Sequence, residues 1–370
     1  MNGMEISIIF LMITFLGSLI FATKKKDSSA ISFFVNLESE YILIGIVFYF
    51  VTGSLNKISL MNIYPYISII LVFMGVLIGS QFSFNLLKNV NKKLYLSIFI
   101  IFYASQMFLC LLFYLFKFEN PYLTAAMLNT SLPYSVQLFS KLFRIKQDKI
   151  FNILLITSIY PAFSIANYGI YIGIKYFTLS NVLMGGLISI LFSLIVSIYA
   201  KVNNKKNINT VSIIMLILLS GLALFFKLSP LILGFLSGLA LSNFHYGDIF
   251  IRNYGSFDRF FYIFCFIFIG IFLPLSYPPL YYILLAIIIL FIFYIIRKKI
   301  GKKVFCKISP GKIKIFSFIS IGILPAIFIM DYGISINLNH ISELIWLFVF
   351  TYFISEITEY LVLKNEAKDI

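Results

Sequence analysis

Apolar residues in this chain run together in long blocks separated by short polar or basic connections, with no alternation of polar and apolar positions. Amphipathic helices and half-buried strands would interrupt such blocks at periods of about 3.6 or 2 residues. The blocks therefore predict helices surrounded by an apolar medium. They fall at Ser7 to Ala22, Tyr41 to Gly53, Tyr66 to Leu87, Leu94 to Phe116, Leu123 to Phe139, Ile150 to Ile174 and Val182 to Ala200. The series continues with Val211 to Phe226, Leu228 to Leu241, Phe260 to Leu275, Leu280 to Ile296, Ile315 to Met330 and Ile345 to Leu363, making thirteen. Several are shorter than the roughly 20 residues a straight span needs. Their ends must extend into the connections or pair as half-helices.

Composition agrees with this pattern. With 61% hydrophobic residues, 12% charged residues and a mean hydropathy of +1.00 over 370 residues, a soluble globular domain is excluded. The expected class is an all-α polytopic membrane protein whose first partner is the lipid bilayer. A net charge of +15 would ordinarily raise nucleic acid as a partner. Here the basic residues sit in short clusters between spans, the pattern of cytoplasmic loops, so no nucleic-acid binding is expected. Cys110, Cys265, Cys306, His245 and His340 share no metal-ligand spacing, and neither a metal nor a cofactor is expected.

Charge placement orients the spans. Lys24, Lys25 and Lys26 follow the first apolar segment, whereas a cleaved signal peptide carries its charge before the core. The first segment is therefore expected to be retained, with the amino terminus outside. Alternation through thirteen spans then places 25 of the 29 basic residues inside and puts Lys57, Lys117, Lys175 and Lys227 in four outer loops. The carboxyl terminus is cytoplasmic, in a cytoplasmic (inner) membrane. The longest polar connection, Arg297 to Lys314, leaves no room for a soluble domain, so residues 1–370 read as one membrane domain.

The candidate chemistry lies between Leu123 and Gly169, where two spans are each interrupted at mid-length by a proline, with helix breaks expected at Pro133 and Pro161. Proline removes a backbone donor and frees a carbonyl, which in lipid must face a cavity or another polar group. Asn129, Thr130 and Ser131 precede Pro133, while Thr157, Ser158 and Tyr160 precede Pro161 and Asn167 follows it. These hydroxyls and amides are the candidate ligands for a monovalent cation or small polar solute. The alternative is that prolines and hydroxyl residues only kink these helices, as they commonly do in membranes.

The stretch Leu222 to Leu275 resembles a segment of monovalent cation:proton antiporters of the sodium/hydrogen exchanger and Kef type. The resemblance rests on Leu228-Ser229-Pro230, Gly234-Phe235, Gly238, Leu241-Ser242-Asn243 and Phe268-Ile269-Gly270, in the family's order and spacing. Weaker likenesses occur at Ile67 to Phe84, at Leu123 to Phe139, and at Lys298-Lys299-Ile300-Gly301. Gly234 and Gly238 also fit a small-residue packing face. The resemblance implies an inverted-repeat fold with two broken helices crossing near the membrane centre, around Asn129 to Pro133 and around Gly322 to Pro325. It also implies core transport helices at about 94–174 and 280–363, beside scaffold helices at about 1–87 and 182–275 that form a homodimer.

Departures from the family pattern bear on function. The family's membrane-embedded aspartates belong on the sixth span, which reads TSIYPAFSIAN here and carries no carboxylate. No Asp or Glu occurs between Asp148 and Asp248. The family's acidic positions on the third span appear as Gln81 and Ser83, and its Arg-Gly-Glu on the twelfth appears as Ala326-Ile327-Phe328. A carboxylate couples two fluxes because proton and cation compete for one negative site, and hydroxyls and amides do not titrate near neutral pH. The remaining candidates for charge coupling are Glu356, placed towards the cytoplasmic end of the last span, and Lys298, which the basic run Arg297 to Lys303 also explains as a solvated helix end. Asp331 and Glu343 read as outer residues. The expectation is a secondary transporter with altered or lost proton coupling. The alternative is a transport-incompetent relative acting as a membrane sensor, effector or assembly partner. No nucleophile, base or metal cluster suggests an enzyme.

Overall fold

The computed structural model describes residues 40–52, 57–82, 92–131, 136, 147–176, 179–202, 208–244, 258–273, 279–304, 317–335 and 341–368. The first predicted span, Ser7 to Ala22, and Pro133 lie outside them. Twelve helices and no strand occur among the described residues. They are α1 (Glu40–Thr52), α2 (Lys57–Ser80), α3 (Lys92–Leu115), α4 (Pro121–Leu128), α5 (Gln147–Tyr176), α6 (Leu179–Val202), α7 (Ile208–Phe225), α8 (Pro230–Asn243), α9 (Asp258–Ile271), α10 (Pro279–Val304), α11 (Leu324–Ser335) and α12 (Ile341–Lys368). Each of the twelve overlaps one of the predicted spans from Tyr41 onward, α4 and α11 over less than half of theirs. By length and composition, Tyr95–Leu115, Leu280–Ile300 and Glu343–Asn365 could each cross a membrane, and shorter apolar helices accompany them. Leu183, Leu187, Leu191, Ile195 and Ile198 form an exposed apolar face on α6, as expected where the surrounding solvent is lipid.

The chain divides into two compact units. The first holds residues 1–85, 169–273 and 330–341. Its tightest packing is built from glycine. Gly75 and Gly79 of α2 face Gly234 and Gly238 of α8, and a Cβ on Gly234 or Gly238 would overlap the carbonyl oxygen of Val72 or Val76. Gly45 of α1 and Gly270 of α9 meet in the same way. Without a hydrophobic drive between helices in lipid, such close approach supplies dispersion contacts that larger side chains would prevent. Hydroxyls join neighbouring helices: Ser193 donates to the Ser237 carbonyl at 2.9 Å and Ser242 donates to the Phe82 carbonyl at 2.5 Å. Asp331, which the sequence places among the outer residues, is fully buried here.

The second unit holds residues 86–168, 274–329 and 342–370. Within it α3 packs along α4 and α10. Phe102, Tyr160 and Phe163 form an aromatic cluster with centroid separations of 5.2 and 5.7 Å about Phe102. Two irregular stretches interrupt its helices. One follows α4 at residues 129–131, and the other precedes α11 at residues 319–323.

The expectation of a break at Pro161 is corrected, because α5 is continuous from Gln147 to Tyr176 with Pro161 inside it. Thr157, four residues earlier, is where the proline removes a donor. Its hydroxyl donates to the Ile153 and Leu154 carbonyls, both at 3.0 Å, and Ser158 donates to Leu154 at 2.7 Å, so this part of the helix is held by its own side chains. Pro325, by contrast, sits in the first turn of α11, where its missing N–H removes no intrahelical bond.

Candidate functional site

Helix α4 is only eight residues long, starts with Pro121 at its amino-terminal turn and ends on Asn129. Ending there leaves carbonyls without intrahelical partners in a buried setting. The residues that follow supply the partners. Asn129 N–H bonds the Ala125 carbonyl at 2.9 Å and Thr130 N–H bonds Leu128 at 2.8 Å. Ser164 of α5 donates to the Asn129 carbonyl at 2.8 Å.

The Asn129 side chain is fully buried and bonded at both ends. Its amide nitrogen donates to the Phe102 carbonyl at 2.9 Å and to Gln106 Oε1 at 3.2 Å, and its oxygen accepts from the Tyr160 hydroxyl at 3.1 Å. Gln106 in turn donates to the Tyr122 carbonyl at 3.2 Å. Asn129 thus pins α3, α4 and α5 to one point.

The second break begins after Phe318 and ends at Leu324. Gly322 lies at φ 68°, in the left-handed region that favours glycine. Its exposed backbone groups are taken one by one by side chains. The Ile319 carbonyl accepts from Arg297 Nη1 at 2.6 Å, Ser320 N–H donates to Glu359 Oε2 at 2.8 Å, and the Ile321 carbonyl accepts from Thr130 Oγ1 at 2.8 Å. The last of these bonds joins the two breaks directly, over 191 residues of sequence. Farther along, Tyr168 stacks on Phe328 at 4.5 Å and donates to its carbonyl at 3.3 Å.

The predicted residues thus separate into two groups. Asn129, Thr130, Ser131, Tyr160 and Gly322 lie at or bonded to the breaks, all buried where burial is described. Thr157 and Ser158 turn back on their own helix. Asn167 lies farther along α5, where its side-chain oxygen accepts a short hydrogen bond from Tyr122.

Two charged residues at the break were not singled out from the sequence, Arg297 and Glu359. Arg297 is 2% exposed, and its guanidinium lies 4.9 Å from the Phe293 ring and 5.8 Å from the Tyr160 ring. The buried base of α10 is therefore Arg297, one residue before the Lys298 to which the resemblance points. Lys298 is exposed, and its ammonium donates to the Tyr294 hydroxyl at 2.6 Å. Arg297 directly abuts the apolar run ending at Ile296, which was the available signal. Glu356, expected near cytoplasmic water, is 1% exposed, as is Glu359 one turn on. The correction has a physical cause: these two carboxylates share the helix face that meets Ser320.

Chemically the arrangement is a buried meeting of two irregular backbone stretches, joined by the bond of Thr130 to Ile321. It presents the carboxyl-terminal end of α4, with its partial negative charge, and the amino-terminal end of α11, with its partial positive charge. No group of three or more His, Cys, Asp and Glu residues fit for a metal occurs among the described residues.

No protein-family model and no curated protein matches the sequence. Among solved structures, the chain is similar to the sodium proton antiporter of Methanocaldococcus jannaschii at pH 8, with a TM-score of 0.71 and 18% sequence identity over 98% of this chain and 100% of that one. At that identity the likeness establishes the fold, and this chain has the fold of that antiporter.

Proposed function

We propose that the protein is an integral membrane secondary transporter whose substrate, a monovalent cation or small polar solute, is handled at the crossing of residues 129–131 and 319–323. The observation that carries this reading is the Thr130 Oγ1 bond to the Ile321 carbonyl, which ties two interrupted helices together inside a buried unit. Interrupted helices place backbone carbonyls and helix ends of defined polarity where an unbroken span offers none. The fold shared with a sodium proton antiporter supports the same reading. In this proposal the second unit contains the transport helices and the first the scaffold on which two copies dimerise. The amino terminus is outside and the carboxyl terminus cytoplasmic.

Coupling differs from ordinary exchange because the middle of α5 carries no carboxylate, its one acid being Asp148 in the first turn. That same absence favours a second reading, in which the protein does not transport and serves as a membrane sensor, effector or assembly partner. Reconstitution into liposomes with Na⁺ and K⁺ gradients, with and without a pH gradient, separates the two. Cation flux above protein-free vesicles upholds the transporter. Flux indistinguishable from empty vesicles under every gradient leaves the second reading.

A further inference from the structure

Glu356 and Glu359 stand three residues apart on α12, each 1% exposed, and both meet Ser320 at the second break. Glu359 accepts the Ser320 N–H and also feels the charge of Arg297, the buried base of α10. Among the described residues, neither Glu356 Oε2 nor Arg297 Nη2 has a hydrogen-bond partner, although both atoms are buried. Among the described residues, the Tyr160 hydroxyl of α5, which is bonded to Asn129, also faces Arg297. Lys298 points elsewhere, to Tyr294.

The charge count of the cluster is specific. Arg297 contributes one positive charge, and the two carboxylates contribute two negative charges when both are ionised. Counted over the described residues, the site is therefore one charge short of neutral, in surroundings where a net charge is costly. One proton on Glu356 balances it, and so does one monovalent cation beside an ionised Glu356. The two ions are then alternatives at one place, the relation that a carboxylate in the middle of α5 would have supplied.

We propose that Glu356, beside Glu359 and Arg297, is the proton-carrying group of this protein and that a proton and a monovalent cation compete for it. In the exchange step the Glu356 O–H bond breaks with its electron pair kept on the carboxylate, the proton passes to water, and the cation takes its place. On the other side the cation leaves and water returns a proton. Glu359 stays ionised on Ser320 N–H and Arg297 holds the opposite charge. This inference rests on the transport reading for its physiological meaning, but its chemistry can be tested without transport.

Infrared spectroscopy of the purified full-length protein at neutral pH tests it directly. The wild type should show a protonated-carboxyl band that falls when NaCl or KCl is added and does not move with choline chloride. Glu356→Gln should lack the band, and Glu343→Gln, which changes an exposed residue, should keep it. A band absent from wild type, insensitive to both cations, or retained in Glu356→Gln overturns the proposal, and the first two outcomes need no variant to fold. In proteoliposomes, cation uptake driven by a pH gradient should fall at least tenfold in Glu356→Gln and persist in Glu343→Gln. Uptake that survives Glu356→Gln overturns the proposal. A cation-sensitive Glu356 band in a wild type without flux upholds the site and overturns the transport reading.

Discussion

Asp331 Oδ2 accepts a hydrogen bond from Ser229 Oγ at 2.7 Å, joining α11 to the start of α8 in the first unit. Asp331 Oδ1 accepts from Leu231 N–H at 3.2 Å, and Ser229 Oγ itself accepts from Ile232 N–H at the same distance. Together they satisfy two of the donors that a helix start leaves open, with Pro230 occupying the position where no donor is needed. The Ser-Pro pair that carried the family resemblance is thus a helix cap fastened by a distant carboxylate.

Replacing the cap and its carboxylate should have unequal effects. Ser229→Ala removes a cap and should cost about 1 kcal/mol. Asp331→Ala leaves the Leu231 N–H and the Ser229 hydroxyl buried without their partner, at roughly 1–3 kcal/mol for each such group. Thermal unfolding in detergent should therefore rank Asp331→Ala below Ser229→Ala. An Asp331→Ala protein as stable as Glu343→Ala would contradict the assignment.

The glycine contacts of α2 and α8 make a second comparison. Gly234→Ala and Gly238→Ala drive a methyl group into the backbone of α2, whereas a Cβ on Gly221 of α7 meets nothing within 4 Å. Gly221→Ala should gain up to about 1 kcal/mol from helix propensity, and the other two should lower the unfolding temperature or prevent folding. Equal behaviour of all three would show that α2 and α8 do not approach so closely.

Much of this fold was legible because membrane helices announce themselves by length and apolarity, so that each segment from Tyr41 onward overlaps a helix, although the ends at Lys57, Leu128 and Leu324 lie well away from the expected ones. Gly234 and Gly238 were legible for the same reason, since small residues four apart have one dominant use in lipid. Pro161 was misleading. A proline marks a lost donor but does not say whether the helix parts there, and the hydroxyls of Thr157 and Ser158 read equally well as ligands or as back-bonding to their own helix. Arg297 was hidden by its neighbours. Five basic residues between Arg297 and Lys303 look like one solvated cluster, and only the three-dimensional turn of α10 separates the buried first member from the exposed second. The pairing of Thr130 with Ile321 spans 191 residues and uses a backbone carbonyl, which leaves no residue-type signal at position 321.

The bond between the two breaks predicts paired defects. Thr130→Val keeps the shape of the side chain but leaves the Ile321 carbonyl without its donor, at roughly 1–3 kcal/mol. Gly322→Ala forces a Cβ into the left-handed region, at roughly 1–2 kcal/mol. Each should reduce liposome flux together with thermal stability, and Thr130→Ser should restore both. If Thr130→Val lost neither, the bond between the breaks would be incidental.

Arg297 and Lys298 are adjacent basic residues in opposite environments, and their substitutions should diverge sharply. Lys298→Ala removes an exposed ammonium bonded to Tyr294 and should change stability by about 0.5 kcal/mol or less. Arg297→Met strips the Ile319 carbonyl of its donor and leaves Glu359 buried without the nearby positive charge, a loss of roughly 3–5 kcal/mol for a broken buried pair. Neutralising Glu359 as well should recover part of that loss, because Arg297→Met with Glu359→Gln leaves no uncompensated charge between them. The double-mutant cycle on thermal or chemical unfolding measures the coupling, expected at about 0.5–3 kcal/mol. Strictly additive losses would mean that Arg297 acts on the Ile319 carbonyl alone and that Glu359 owes its burial to Ser320. Glu356 would then face Glu359 without a positive charge to offset the pair, and the charge balance argued for proton and cation would not hold.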